Sequence, residues 1–180
     1  MRRSICQCEP HVAFAGDIGD WKFVYTTANP ISKDAVFRFD VCSTGREIDW
    51  EVPSSNLKQA SNIIYVLIDG EKPIATKEIE IADSYAPLFE FTLPRELKVG
   101  EKLTVVVGES PSSKAKSKVG NSAQKIVQRR KPFHLYIDAK GKGKFEDPEL
   151  FSLDIRGNQL DNVRIITPSF VGKNRRFDVV

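Results

Sequence analysis

In the run AVFRFDV, Phe37, Phe39 and Val41 fall on one side of an extended chain while Arg38 and Asp40 fall on the other. This two-residue alternation marks a strand with one face on a core, and it recurs down the sequence. LFEFTL sets Phe89, Phe91 and Leu93 against Glu90 and Thr92, and FSLDI sets Phe151, Leu153 and Ile155 against Ser152 and Asp154. WKFVYTT gathers Trp21, Phe23 and Tyr25, and KEIEIAD gathers Ile79 and Ile81. IIYVLI is apolar on both faces, which suits a central strand or one covered by a second layer. Turn formers such as Asn29-Pro30, Asp69-Gly70, Val99-Gly100 and Arg156-Gly157-Asn158 separate the runs. No window sustains a helical stripe over three turns, although SSNLKQASN, after Pro53, could form one short helix. A parallel α/β sheet would need crossover helices. The pattern therefore predicts an all-β chain, a β-sandwich of roughly ten short strands with immunoglobulin-like topology.

A chain of 180 residues, 41% hydrophobic and 28% charged, can bury one substantial core. Its net charge of +3 is too small for the whole-chain field to imply nucleic acid. The longest apolar run, Ile63 to Ile68, falls far short of the roughly 18 residues that cross a bilayer, so no membrane span is expected. Three cysteines, Cys6, Cys8 and Cys42, cannot complete an intrachain disulfide framework. Gln7, Glu9 and His11 interrupt the apolar region that a secretory leader would need. Together these predict a cytoplasmic protein.

Residues 1–15 are expected as a flexible N-terminus, 16–157 as the sandwich, and 158–180 as the start of a second, incomplete β domain, with the frame truncated or divided near Val180. Residues 109–132 are rich in Ser and Lys and predict a long exposed loop with one short strand at QKIVQ.

Few side chains are spaced for chemistry. DAKGKGKFEDPE begins with Asp138, but a calcium loop would need oxygen ligands where Lys140 and Lys142 stand. Gly141-Lys142-Gly143-Lys144 leads to Phe145 and lacks the spacing of a phosphate loop; the stretch reads as a turn between strands. Cys6-x-Cys8 with His11 and Cys42 could offer zinc ligands, yet one-residue spacing strains a shared site, so a frayed terminus and a buried Cys42 are expected instead. His134 shares a strand face with Tyr136 and Asp138, which an ordinary polar sheet surface explains as well as a hydrolase site does. Trp21, Trp50 and Tyr25 could form a sugar platform, but tryptophan in a sandwich more often belongs to the core. No catalytic residue, cofactor or metal ligand is assigned. The one electrostatic feature above background is the basic segment Lys114, Lys116, Lys118, Lys125, Arg129, Arg130 and Lys131, which could contact a polyanion. It lacks interleaved aromatics, so nucleic acid is not the expected partner.

Across GDIGDWKFVYTT and RRKPFHLYIDAKGKGKFEDPELFSLDIRGNQLDNVRIITPSF, the chain resembles the N-terminal portion of a large uncharacterised bacterial family represented among chlamydiae. The resemblance runs from about Gly16 onward. It implies β-sandwich segments that precede a metal-hydrolase-like domain similar to the polymerase-and-histidinol-phosphatase superfamily. Such a domain is expected to open on a His-x-His motif, whereas this sequence has only His11 and His134, so none of its metal ligands can be placed here. The expectation is a non-catalytic accessory or interaction module whose partner is a downstream domain or protein. The alternatives are polyanion binding and a metal-dependent hydrolase.

Overall fold

The computed structural model describes residues 3–69, 71–81, 86–111 and 119–157. In chain order the strands are β1 (Ile5–Glu9), β2 (Val12–Phe14), β3 (Ile18–Gly19), β4 (Trp21–Thr26), β5 (Val36–Asp40), β6 (Ile63–Ile68) and β7 (Ile74–Ala75). They continue with β8 (Lys77–Ile79), β9 (Leu88–Thr92), β10 (Lys102–Gly108), β11 (Asn121–Ser122), β12 (Gln128–Asp138) and β13 (Glu149–Arg156). One sheet runs β1-β4-β10-β6-β7 and the other β2-β13-β12-β5-β9-β8, with a small β11-β3 pair beside them. No helix forms among the described residues, and the all-β expectation holds.

The alternation written in the sequence becomes the two inner faces. Phe23 on β4 packs against Phe39 on β5, Phe133 on β12 and Phe151 on β13, at ring-centroid distances of 4.9, 4.4 and 5.8 Å. One side chain of the first sheet thus keys into three of the second, and all four are buried. Trp50, from the connection after β5, joins this cluster edge-on to Trp21 and Phe133. Trp21, Trp50 and Tyr25 are buried, which removes the sugar platform. The run IIYVLI is β6, between β10 and β7. Its Ile64, Val66 and Ile68 enter the main core, and Ile63 and Tyr65 pack with Val106, Leu57 and Leu67 in a smaller cluster on the opposite face.

The strands β1-β4-β10-β6 of one sheet lie opposite β13-β12-β5 of the other, the two-layer arrangement of a β-sandwich. Within that frame, β6 enters the first sheet before β8 and β9 extend the second; the sandwich is established without a specifically immunoglobulin topology.

Three local expectations need correction. Residues 5–14, read as part of a flexible N-terminus, form β1, antiparallel to β4, and β2, parallel to β13. Cys6 and Cys8 lie opposite Tyr25 and Phe23 and turn toward the core, and this alternation is what the polar letters around them hid. SSNLKQASN forms no helix. The Ser54 hydroxyl accepts from Asn56 N–H and the Asn56 side chain from Lys58 N–H, so local side chains capture the amides a helix would use. Finally, residues 119–132 are not an exposed loop. The short strand lies at Asn121–Ser122 rather than QKIVQ, and β12 begins at Gln128.

That last segment is pinned from several sides. Asn121 donates to Glu51 O and Asn62 Oδ1, and Trp21 Nε1 donates to Asn121 O. A Cβ on Gly120 would stand 2.5 Å from Gly19 O, so only glycine permits this approach. The expected second β domain at 158–180 lies outside the described residues.

Candidate functional site

The second sheet places β5 beside β12 so that Asp40 sits directly opposite His134. Both side chains belong to the face turned away from the core, because Phe39 and Leu135 take the inner positions between them. Just past β5 the chain turns through Cys42 with φ 48°, a left-handed conformation uncommon for a residue with a side chain. Three contacts hold it there. Asp40 Oδ1 accepts the Cys42 N–H at 2.6 Å, and Lys131 Nζ donates to the carbonyls of Val41 and Cys42, both at 2.9 Å.

This corner brings a carboxylate oxygen of Asp40, the sulfur of Cys42 and a ring nitrogen of His134 within 4.8 Å of one another, all three residues half-buried. Tyr136, two residues along β12, places its hydroxyl 3.4 Å from His134 Nδ1. Burial, and then the charge of Asp40, push the Cys42 thiol up to about 12, against the opposing pull of Lys131. The Tyr136 phenol is raised by burial and by Asp40 and Cys42. Oxygen, sulfur and nitrogen donors this close together are a ligand set that a borderline divalent ion accepts.

The residues singled out in the sequence are dispersed differently from their spacing. Cys6 and Cys8 lie on β1, away from Cys42; burial pushes each thiol up to about 12, with Glu149 adding to the effect on Cys6. Neither they nor His11 joins the Asp40 group. His134 meets Tyr136 as expected, but Asp138 is buried at the far end of β12. Its carboxylate accepts the N–H groups of Lys140 at 3.2 Å and Gly143 at 2.5 Å. Burial acts to raise its pKa, yet the backbone N–H groups of Gly143, Lys140, Lys144 and Lys142 outweigh it and hold the carboxyl below the ordinary value. The amides that a phosphate would use, and the oxygens that a calcium ion would use, already serve each other. DAKGKGKFEDPE is a connection folded around its own acid.

Among the basic residues, Lys114, Lys116 and Lys118 lie outside the described residues. Lys125 is exposed and paired with Glu47 at 2.6 Å. Arg129 and Arg130 are exposed at the start of β12, where Arg130 adopts φ 52° and its N–H donates to Asp154. Lys131 is buried, its amine among the carbonyls of Val41, Cys42 and Pro132 and 4.7 Å from the Phe133 ring centroid. Burial lowers its pKa. It braces the Cys42 corner and is turned away from any polyanion.

Sequence reasoning noticed His134 and Cys42 and gave His134 its neighbour Tyr136, but it did not bring either residue to Asp40. The signal that would unite them with Asp40 is the pairing of β5 with β12, and a cross-strand register is not encoded in local spacing.

No family model matches the chain. It is 47% identical over 179 residues to uncharacterised proteins of Chlamydia trachomatis serovar D, Chlamydia muridarum and Chlamydia pneumoniae. The match takes in 99% of this chain but 29% of each of those proteins. The chain is thus similar along nearly its whole length to chlamydial proteins of which it spans less than a third.

Proposed function

We propose that the chain is a non-catalytic accessory module, a β-sandwich that docks against the remainder of a longer bacterial protein. The observation carrying this reading is the share of the relatives that is matched: 47% identity over 179 residues falls within 29% of their length. A second observation supports it. Large apolar side chains are exposed on segments tied to the point where the chain leaves β13. Phe14, Ile18, Ile48, Ile126 and Val127 are 40 to 60% exposed. Ala15 N–H donates to Arg156 O, Lys125 N–H donates to Ile48 O, and a Cβ on Gly157 would lie 3.7 Å from a Val127 methyl. Apolar surface beside the exit of the chain fits a docking face for the remainder of such a protein.

Reading the genomic DNA beyond the codon for Val180 tests the proposal. A continuing or displaced frame that encodes the rest of the relatives' length is the expected result, and unrelated sequence would contradict it. In the long protein, Val127→Ser should speed proteolytic cleavage between module and remainder; equal cleavage of variant and parent removes the docking face. Hydrolysis by this chain that disappears in His134→Ala would overturn the non-catalytic reading. Polyanion binding through Lys125, Arg129 and Arg130 with Lys114, Lys116 and Lys118 is the alternative, and it would weaken steeply with added salt.

A further inference from the structure

An accessory module has no need of a carboxylate, a thiol and an imidazole gathered on one outer sheet face, yet the β5–β12 corner gathers them. We infer that Asp40, Cys42 and His134 form a binding site for a divalent ion of the zinc class, with water in the fourth position.

Zinc takes carboxylate oxygen, imidazole nitrogen and thiolate sulfur at about 2.0–2.3 Å, which sets tetrahedral ligand atoms about 3.3–3.6 Å apart. The donors here lie within 4.8 Å of one another, so closure requires about 1 Å of side-chain movement against that tetrahedral spacing. Rotation of Cys42 and His134 about their Cα–Cβ bonds supplies movement of that size. The backbone is already positioned, because Asp40 and His134 are cross-strand partners and Lys131 and Asp40 fix the turn at Cys42.

The Tyr136 hydroxyl 3.4 Å from Nδ1 is placed to hold that side of the ring and leave Nε2 for a metal, as partners of metal-bound histidines commonly do. On binding, the Cys42 S–H bond breaks, its proton passes to solvent, and a sulfur–metal bond forms without any change of oxidation state. Lys131 acts in two directions: its charge opposes the cation but favours the thiolate. Two anionic ligands, Asp40 and the Cys42 thiolate, offset it. The sulfur donor disfavours magnesium and calcium, which prefer all-oxygen sites.

Cobalt(II) titrated into the reduced, metal-free 180-residue chain gives the test. The expected result is the strong visible absorption of four-coordinate cobalt together with a near-ultraviolet thiolate-to-metal band, both abolished by one equivalent of zinc and untouched by magnesium. Cys42→Ser should lose the thiolate band, Tyr136→Phe should weaken affinity by about tenfold as partners of ligating histidines do, and Cys6→Ser with Cys8→Ser should change neither. A wild-type chain that shows no such bands, or bands that survive Cys42→Ser and vanish with Cys6→Ser and Cys8→Ser, would overturn the site. Zinc should also raise the thermal midpoint of the wild-type chain, and an unchanged midpoint at millimolar zinc would count equally against it.

Discussion

Two aspartates mark opposite ends of one sheet face, Asp138 at the end of β12 and Asp40 at the end of β5, and they have met different fates. Asp138 is folded in by its own connection, whose amides fill its carboxylate. Asp40 spends one oxygen on the Cys42 amide and leaves the carboxylate beside a thiol and an imidazole. The residue type is the same, and the number of backbone donors in reach separates a structural acid from one able to hold a ligand.

The largest expected effect falls on what the two ends share. Phe133 lies buried on the inner face of β12, in the core beneath that sheet face, against Phe23, Phe39 and Trp50. Phe133→Ala should cost about 3–5 kcal/mol in denaturant unfolding and loosen both ends together. Loss of amide-exchange protection at only one end would break the idea of a common support.

The range of the interactions decides how much of this was legible in the sequence. Alternation placed Phe37, Phe39, Phe89, Phe91, Phe151 and Leu153 on core-facing sides because a pleated strand carries that information within a few residues. It missed β1 because Gln7 and Glu9 alternate with cysteines, which do not stand out as core residues in a short run, although thiols bury readily. It overestimated the loop at 109–132 because what anchors residues 119–132 is Asn121, a polar residue whose partners Glu51 and Asn62 come from elsewhere in the chain. Lys131 reads as one of an exposed basic segment for the same reason, since the carbonyls at the end of β5 that give its amine a buried place come from elsewhere in the chain. The Asp40 cluster depends on strand register, which local pattern leaves open.

Next in size is Lys131→Met, which keeps the packing of the stem but leaves the Val41, Cys42 and Pro132 carbonyls without their donor. About 2 kcal/mol of stability should go, as for a buried charge-assisted hydrogen bond. Exchange should rise around Cys42 while the Asp138 connection stays protected. A uniform loss would show that the two ends are not separately held.

A smaller effect belongs to Asp138→Asn, and it should depend on pH. The folded pKa lies below the ordinary 3.8, so ionised Asp138 stabilises the fold. That contribution is complete above the unfolded value and is lost as pH falls through the folded one. Parent and variant should therefore differ in thermal midpoint at neutral pH and converge in strong acid. A gap that persists in strong acid would mean that the backbone donors are not the cause.

The smallest effect is expected from Arg38→Ala. Its Nε donates to Glu90 at 2.8 Å and its guanidinium lies 4.2 Å from the ring centroid of Phe145, in the Asp138 connection. A partly exposed pair and ring contact together should contribute about 1 kcal/mol, read as a small shift in the urea midpoint with no effect at Cys42.

The contrast between the two acids can be read in one experiment, carbon-13 NMR of the aspartate carboxyl groups before and after one equivalent of zinc. The Asp40 signal should move and the Asp138 signal should stay in place. Movement at Asp138, or stillness at both, would contradict the distinction on which this account rests.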